Sequence, residues 1–374
     1  MPLRCLHDGR EIFAFNITDD AEWKSLRTLN ANTKCLRMDC CSSPVVLKTS
    51  QLGTRYFAHT RRGECTTAPE SEEHLLAKSV VVDGIRRTTW IASVEQQGKT
   101  PSGEGWIADV MAKRALGRAV AFEIQWSRQT EEETRARQAR YEAAGIRGMW
   151  LFRQHDFPVD KKVPAFRLRF DEKRSLFHVL IPSPLYRSTG VRQREADETH
   201  YWSQSIELSR FVEGALKGHL HFAPALNRQL PLEVYAASTT CWKCHRRTKI
   251  ITELVLASGR ILPNCPDIEA SIYSLDGLTL NGTEIVDMLL PARALKRYGI
   301  GEIKRRYSKT ERQTYLSNGC VHCDALQGRF FDDELMYDGE LVFTTDAVFY
   351  EAWAKRLGDY RREIHHWWFD DAFK

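Results

Sequence analysis

The clearest pattern of hydrophobic and polar positions lies between residues 68 and 158, where helical and strand-like periodicities alternate. Leu75, Val82 and Ile85 recur at near-helical spacing behind an acid-rich start, which predicts a helix over residues 71–87. Short apolar runs, and a polar helix that ends at a glycine, predict the remaining elements: strands over 89–94, 106–111, 119–126 and 148–152 and a helix over 131–144. The predicted order is α-β-β-β-α-β, a mixed α/β arrangement.

The pattern outside this region is less regular. Two apolar runs over 165–170 and 176–181 flank a polar stretch and predict a β-hairpin. Amphipathic spacing predicts a helix over 203–220. A further helix is expected over 345–362, within a C-terminal tail rich in aromatic residues.

Composition narrows the class of protein. The 374 residues are 43% hydrophobic and 28% charged, as in ordinary globular proteins, which excludes disorder, collagen-like repeats and coiled coil. No apolar run approaches the roughly 20 residues of a membrane helix, and charged residues stand where a signal peptide has its apolar core. We therefore expect a cytoplasmic protein with no membrane partner. Because cytosolic thiols are kept reduced, closely spaced pairs among the ten cysteines indicate metal sites.

Two Cys-x-x-Cys pairs, Cys241 with Cys244 and Cys320 with Cys323, form the strongest metal signal. Each pair lets two thiolates point at one ion from a tight turn, and two pairs complete a tetrahedral four-cysteine zinc site. The two pairs are far apart in sequence, so we expect a split zinc ribbon with an insertion between its knuckles. The alternative is that one pair consists of buried thiols.

A second, less regular set precedes residue 67. Cys35, Cys40, His59 and Cys65 have the composition of a zinc site with three cysteines and one histidine, and Cys41 competes with Cys40 for its position. Four protein ligands leave no open position for a substrate, so both zinc sites are expected to be structural. The remaining thiols are interpreted as packing or reactive groups: Cys5, Cys41 and Cys265.

Acidic residues on two predicted strands suggest a catalytic site. Asp109 lies in one strand, and Glu123 and Gln125 share a face of the next. Two carboxylates on neighbouring strands suit Mg²⁺ or Mn²⁺, which can activate a water molecule and neutralise charge on a phosphodiester. The alternative is ordinary polarity on an exposed strand, which the apolar context disfavours.

The first predicted helix carries a polar stripe that can face the same cleft. Glu70, His74 and Lys78 are spaced four residues apart and therefore lie on one side of the helix. The alternative is a capped helix start with a solvated charge run.

These residues resemble a known family. The element order with Asp109 and then Glu123-x-Gln125 is similar to the PD-(D/E)xK, or restriction-endonuclease-like, superfamily. More closely, the chain from about 35 to 150 resembles the competence protein CoiA family, with a weak extension over 208–220 and no counterpart for the second half. The motifs that carry this resemblance are Phe57-Ala-His59, Cys65, Glu70-Ser71, His74, Lys78, Ala108-Asp109-Val110, Glu123-Ile-Gln125-Trp-Ser127, Arg140-Tyr141, Gly145 and Trp150.

The resemblance implies a nuclease-like domain behind an N-terminal zinc finger, in proteins that process incoming or recombining DNA. By position, Asp109 and Glu123 would hold the catalytic metal, while Gln125 replaces the lysine common in the wider superfamily. Lys78 would supply the missing cation from the helix, and Glu70 or Glu73 would act as an accessory ligand. The expected organisation has five parts: a zinc-finger module (1–67), a nuclease-like domain (68–158), a connector (159–235), a split zinc ribbon (236–330) and an aromatic helical tail (331–374).

A basic segment between the zinc knuckles suggests a nucleic-acid partner. Residues 291–313 carry a net charge of +6, while the whole chain carries +5. Two tyrosines interleave with the cations, a mixture that combines phosphate attraction with base stacking. The alternative is a solvated helix face. The residues concerned are Arg293, Lys296, Arg297, Tyr298, Lys304, Arg305, Arg306, Tyr307, Lys309 and Arg312.

Two classes of function follow from these patterns. The first is a Mg²⁺- or Mn²⁺-dependent DNA nuclease with two structural zinc sites, acting in DNA uptake, recombination or defence. The second is a non-catalytic zinc-ribbon protein that binds nucleic acid or acts as an adaptor. The strandedness of the DNA and the oligomeric state stay open. A protein partner is possible on the C-terminal aromatic residues Trp353, Tyr360, Trp367 and Trp368.

Overall fold

A computed structural model describes residues 2–60, 65, 70–155, 157–183, 201–223, 229–260, 267–329, 335–358, 366–370 and 373. The chain forms two compact units, one comprising Met1–His221 with Ala372–Lys374 and the other Phe222–Asp371. The division into five parts stays a prediction. Cys265 and Tyr360 lie outside the described residues. In the described part of the chain, no helix is long and apolar enough to cross a membrane.

The first unit contains twelve complete strands and four α-helices among its described residues. The strands are β1 (Arg4–His7), β2 (Arg10–Phe13), β3 (Leu36–Arg37), β4 (Val45–Thr49), β5 (Arg55–His59), β6 (Ile91–Lys99), β7 (Gly105–Lys113), β8 (Ala119–Gln125), β9 (Ile146–Phe152), β10 (Ala165–Asp171), β11 (Leu176–Pro182) and β12 (Trp202–Glu207). The helices are α1 (Asp20–Thr33), α2 (Glu72–Arg86), α3 (Glu131–Ala143) and α4 (Leu208–Lys217), with 3-10 turns at Ala14–Asn16 and Ala115–Gly117.

A seven-stranded mixed sheet forms the centre of this unit, in the order β12-β11-β10-β9-β8-β7-β6. Strand β9 runs parallel to β8 and β10, and the other neighbours are antiparallel. The elements α2, β6, β7, β8, α3 and β9 follow one another in the order expected from the sequence. A restriction-endonuclease-like core remains a prediction.

Local signals account for the two helices that flank the site. The Ser71 side chain caps α2 by accepting a hydrogen bond from the His74 N–H, and Thr130 and Glu133 form a capping box at the start of α3. Each cap contributes about 1 kcal/mol. The apolar positions Leu75, Val82 and Ile85 are fully buried, as their helical spacing predicts.

The helix predicted over 203–220 is wrong in its first part. Residues Trp202–Glu207 form β12, which pairs antiparallel with β11, and α4 begins only at Leu208. Gln204 and Ile206 are buried while their neighbours are not, the period of two that a strand imposes. Pairing with an available sheet edge satisfies the backbone over these residues, which periodicity alone does not reveal.

The second unit consists mainly of antiparallel strands. Strand β13 (Leu220–Ala223) crosses the boundary between the units. The other strands are β14 (Gln229–Thr240), β15 (Arg247–Leu256), β16 (Ile268–Ala270), β17 (Thr279–Leu280), β18 (Thr283–Glu284), β19 (Lys304–Ser308), β20 (Gln313–Gly319), β21 (Leu326–Gln327), β22 (Glu340–Val348) and β23 (His366–Phe369). The helices are α5 (Ile285–Leu289), α6 (Ala292–Arg297) and α7 (Glu351–Gly358), with 3-10 turns at Ser258–Arg260, Ile272–Leu275 and Met336–Asp338.

The aromatic C-terminal tail contributes both a strand and a helix to this unit. A four-stranded sheet has the order β16-β15-β14-β22, so residues 345–348, predicted as helical, belong to a strand and α7 begins at Glu351. Trp353 is fully buried in the core cluster of the unit and donates to Ser274 Oγ at 3.2 Å. Trp367 and Trp368 are also buried. Trp353 therefore fills the interior of its own unit.

Candidate active site and metal centres

The candidate active site forms where β7 and β8 separate. Their ladder ends at the pair Val110 and Phe122, and the next position of β7 is Asp109. Asp109 Oδ2 accepts a hydrogen bond of 2.8 Å from the Ile124 N–H, so the carboxylate satisfies a backbone group that β7 no longer pairs. This contact fixes the carboxylate at the opening between the strands.

Helix α2 brings a histidine and a lysine to this carboxylate. His74 Nε2 lies 3.5 Å from Asp109 Oδ2, and Lys78 Nζ lies 3.7 Å from Asp109 Oδ1. Lys78 Nζ also donates to Glu70 Oε1 at 2.5 Å, and the Lys78 side chain is completely buried. The predicted stripe of Glu70, His74 and Lys78 therefore faces the sheet, and the alternative of a solvated charge run is wrong.

Glu95 is a member of this cluster that the sequence did not indicate. Its Oε1 atom accepts from Lys78 Nζ at 3.2 Å and from the Leu3 N–H at 2.9 Å. Glu95 has φ 51°, in the left-handed region, which costs a non-glycine residue about 1–2 kcal/mol. Strain of this kind is often stored at functional sites. The strand predicted over 89–94 was expected to end before Glu95, but β6 continues to Lys99. Had the longer strand been predicted, an acidic residue inside it would have indicated Glu95 as a candidate site residue.

The charges of the cluster stabilise one another. Burial lowers the pKa of Lys78, but Glu95, Glu70 and Asp109 outweigh it and hold that pKa above its ordinary value. Burial raises the pKa of Asp109, but the charge of Lys78, with His74 and the Ile124 N–H, brings it below its ordinary value. Burial raises the pKa of Glu95. Asp109 is therefore ionised and Lys78 protonated across the physiological pH range.

Glu123 and Gln125 lie beside this cluster and contact a different helix. Glu123 is 1% exposed and accepts hydrogen bonds from the Tyr141 hydroxyl and the Arg137 guanidinium, both on α3. Burial, reinforced by the charge of Asp109, raises the pKa of Glu123 to about 8. Gln125 Nε2 donates to the Ser127 carbonyl at 3.0 Å. Glu123 was expected beside Asp109 as a metal ligand, but its carboxylate faces α3.

Three ligand atoms are close enough to share an ion. One atom each from Glu70, His74 and Asp109 lie within 4.8 Å of one another. Glu70 Oε2 and His74 Nε2 are buried without a hydrogen-bond partner among the described residues. A carboxylate oxygen and an imidazole nitrogen that both lack a hydrogen bond, next to an ionised carboxylate, fit a divalent cation. The side chains of Glu70 and Asp109 are 20% and 21% exposed, so solvent reaches the group. Neither Glu73 nor Glu123 belongs to it.

A second group of ligand atoms lies in the N-terminal part of the same unit. Cys40, Cys41, His59 and Cys65 offer atoms within 4.8 Å of one another. Cys40 Sγ lies 3.7 Å from Cys41 Sγ and 3.6 Å from both Cys65 Sγ and His59 Nε2. A tetrahedral zinc with bonds of about 2.3 Å needs sulfur atoms about 3.8 Å apart, so the residues fit zinc.

The sequence placed Cys35 in this site and left the choice between Cys40 and Cys41 open. In the structure both Cys40 and Cys41 lie in the group of neighbouring ligand atoms, and Cys35 does not. Cys35 packs at the margin of the N-terminal apolar core, directly before β3. Cys40 and Cys41 follow β3 in a turn that faces His59 at the end of β5. Cys5 is fully buried, which raises its pKa to about 12 and makes it an inert packing thiol.

The four cysteines of the second unit form a site with matching knuckles. Cys241 Sγ lies 3.6 Å from Cys323 Sγ, and Cys244 Sγ lies 3.7 Å from Cys320 Sγ, again the spacing of a tetrahedral zinc. The two knuckles share the same backbone turn. The His245 N–H donates to the Cys241 carbonyl, and the Asp324 N–H donates to the Cys320 carbonyl. Both His245 and Asp324 have positive φ.

The knuckle backbone also prepares Cys241 for metal binding. Burial raises its pKa, but backbone N–H groups of Cys244 and Lys243 and the neighbouring thiols outweigh burial and lower the pKa to about 6. The thiolate, the form that binds metal, is therefore favoured near neutral pH. His322 contacts the Arg247 carbonyl at 2.9 Å, outside the ligand group.

The structure divides the predicted basic segment into two sets of residues. Three cations pair with acids of their own unit: Lys304 with Asp324 at 2.8 Å, Arg305 with Asp276 at 2.5 Å, and Arg306 with Asp324. Five exposed cations have no ion pair among the described residues: Arg293, Lys296, Arg297, Lys309 and Arg312. Tyr298 stacks on Phe343, and Tyr307 is 61% exposed.

Comparison with known proteins agrees with the resemblance drawn from the motifs. Residues 70–178 match a family model described as competence protein CoiA, nuclease-like domain. A search of curated proteins gave no match. The matched segment begins at Glu70 and includes every residue of the candidate active site except Leu3, and it covers less than a third of the chain. The chain thus contains, over residues 70–178, a domain similar to the nuclease-like domain of the competence protein CoiA family.

Proposed function

We propose that this protein is a metal-dependent DNA nuclease. One observation carries the proposal: Glu70, His74 and Asp109 present ligand atoms within 4.8 Å of one another, beside a completely buried lysine. A divalent ion in such a site supplies Lewis acidity and a more acidic bound water, the chemistry that phosphodiester hydrolysis needs. The similarity of residues 70–178 to a nuclease-like domain supports the same class of reaction.

The residues of the chain have distinct roles in this proposal. Glu70, His74 and Asp109 hold Mg²⁺ or Mn²⁺, and the two carboxylates supply the oxygen donors that these ions prefer. Lys78 acts as a positioning residue, because its buried ammonium group contacts the carboxylates of Glu70 and Asp109 and holds them in place. Glu95 accepts a hydrogen bond from Lys78 and another from the Leu3 N–H, so it connects Lys78 to the residue that precedes β1.

DNA is the proposed substrate, and the zinc sites are proposed to be structural. Each zinc group has four ligands, which leaves no position for substrate. The five unpaired cations of residues 291–313 and the exposed Tyr307 provide phosphate attraction and a stacking surface within the second unit.

Cleavage of linear DNA tests the proposal directly. Single- and double-stranded fragments are incubated with the protein and Mg²⁺ or Mn²⁺, and we expect products that Asp109→Asn abolishes. Asp83→Asn, the same change at an exposed position of α2, is the matched control and should cleave normally. EDTA also strips structural zinc, so the variant is the cleaner control. Equal cleavage by wild type and Asp109→Asn would contradict the proposal.

A second candidate function is a nucleic-acid-binding or adaptor protein without catalysis. The observation that favours it is the engagement of Glu123 by Arg137 and Tyr141 and of Gln125 by Ser127, which leaves Asp109 as the one strand acid in the candidate group. Binding of DNA without cleavage under every metal condition would support this candidate.

A further inference from the structure

A cavity of about 460 Å³ lies between helix α3 and the turn end of the β6–β7 hairpin, where Lys99 pairs with Gly105. It lies on the side of the sheet that Glu123 faces, and it is separate from the Glu70, His74 and Asp109 group. Its walls include Lys99, Trp106, Ile107, Arg137, Arg140 and Tyr141.

The residues that line the cavity include three cations and no acid. Lys99, Arg137 and Arg140 are cations, and no carboxylate is present among its lining residues. Lys99 is exposed and has no ion pair among the described residues. Arg140 donates to the Gly105 carbonyl at 3.1 Å, an uncharged acceptor, and Arg137 shares its charge with Glu123. A cavity with this lining attracts an anion.

One wall of the cavity is the indole ring of Trp106, which packs directly over Gly98. Gly98 pairs with Trp106 across the β6–β7 ladder, and any Cβ at Gly98 would clash with the indole ring. The centre of the indole ring lies 5.7 Å from the centre of the Tyr141 ring. Cations beside an apolar surface are the combination that binds a nucleotide, whose phosphate is charged and whose base is flat and apolar on its faces.

The cavity is connected to the candidate active site by two side chains. Arg137 and Tyr141 line it, and both donate hydrogen bonds to the carboxylate of Glu123. Glu123 in turn lies near enough to Asp109 for their charges to interact. An anion in the cavity would therefore lie one side chain away from Glu123.

We propose that this cavity binds a phosphate of the DNA strand, with Lys99 and Arg140 as its ligands and Trp106 as the surface for the adjoining nucleotide; this rests on the proposed function as a DNA nuclease. The phosphate can come from within the strand or from a strand terminus, and the same side chains would recognise both.

Binding measured in the absence of cleavage tests the cavity. Fluorescein-labelled oligonucleotides are titrated without divalent ions against full-length Asp109→Asn, with and without the added changes Lys99→Ala and Arg140→Ala. We expect the double change to weaken binding about tenfold, since charge-assisted contacts to phosphate are lost. The slope of log affinity against log salt should become shallower by about 1.8 for duplex DNA, or about 1.4 for single strands.

Controls separate the cavity from general charge. Arg114→Ala removes one exposed cation outside the cavity and should change affinity less than either cavity variant. Arg140→Lys should restore part of the affinity, and thermal melting checks that each variant folds. Binding and salt slope unchanged by the double variant would overturn the cavity proposal, even in a protein that cleaves DNA. A cavity-dependent affinity in a protein that never cleaves would overturn the nuclease proposal alone.

Comparing oligonucleotides with different ends identifies whether the cavity binds a terminal or an internal phosphate. Oligonucleotides with a 5′-phosphate, a 3′-phosphate or only hydroxyl ends are compared with a closed single-stranded circle. Tighter binding of one phosphorylated end, lost in the double variant, assigns the cavity to a strand terminus. Equal binding of circle and linear strands, weakened equally by the double variant, assigns it to an internal phosphate.

Discussion

Lys78 Nζ lies 2.5 Å from Glu70 Oε1 at a position where the lysine side chain has no exposure to solvent. Burying an ammonium group is costly unless carboxylates compensate it, and here Glu70, Glu95 and Asp109 all do so. Through Asp109 Oδ1, which lies 3.7 Å from its Nζ atom, Lys78 links α2 to the opening between β7 and β8. It therefore couples the stability of this part of the sheet to the arrangement of the candidate active site.

Replacing Lys78 tests this coupling. Lys78→Met leaves three buried or half-buried acids without their cation, and we expect a loss of about 3–5 kcal/mol in unfolding free energy. Adding Glu95→Gln should recover part of the loss, because one uncompensated charge is removed. Thermal melting measures both effects. Lys113→Met, an exposed lysine on β7, is the control, and an equal loss there would contradict the argument.

The different surroundings of Asp109 and Glu123 predict different catalytic effects. Asp109→Asn removes a proposed metal ligand and should lower the cleavage rate by about 1000-fold or more. Glu123→Gln alters a group held by Arg137 and Tyr141, for which about 10- to 100-fold is expected. Metal titration of the cleavage rate separates the roles, because the affinity for Mn²⁺ should fall in the first variant only. An equal loss of Mn²⁺ affinity in both variants would restore Glu123 as a ligand.

The raised pKa of Glu123 predicts a pH-dependent stability. In the unfolded chain the carboxyl ionises near 4.5, and in the folded protein its pKa is about 8. Between these values the folded state binds the additional proton, so this group reduces stability as pH rises from 4.5 to 8. Glu123→Gln cannot titrate, so its melting temperature relative to wild type should rise across this window. A constant difference from pH 5 to 8 would show that Glu123 stays ionised in the fold.

The two cysteine groups predict the metal content. Wild-type protein purified without chelators should hold two zinc ions per chain by elemental analysis. Cys41→Ser and Cys241→Ser should each lower the count to one, because each removes one of four ligands. Cys35→Ser is the informative comparison and should leave the count at two. A count of one in Cys35→Ser would return Cys35 to the N-terminal site.

The division of the basic segment predicts which cations contribute to DNA affinity. Arg293 and Arg297 have no ion pair among the described residues, so Arg293→Ala with Arg297→Ala should weaken DNA binding and reduce its salt dependence. Arg305 is held by Asp276, so Arg305→Ala should have a smaller effect on affinity. Fluorescence anisotropy at several salt concentrations measures both. Equal effects of the paired and unpaired cations would contradict this division.

Sequence by itself determined the features that depend on neighbouring residues. Helical spacing located α2, a polar segment that ends at Gly145 located α3, and each Cys-x-x-Cys pair indicated a knuckle that the backbone forms locally. Asp109, His74 and Lys78 could be named because a strand acid and a helix stripe are visible along the chain. The similarity to a CoiA nuclease-like domain rests on the same local motifs.

Only the tertiary structure decided the contacts between distant segments. Glu95 joined the site because the Leu3 N–H, 92 residues away, and Lys78 both reach it. Cys41 lies in the N-terminal ligand group, and Cys35 does not, because the turn after β3 faces His59. Strand β12 forms because the edge of β11 was available for pairing. In each case the partner of a side chain or backbone group is chosen by proximity in space, which local periodicity does not encode.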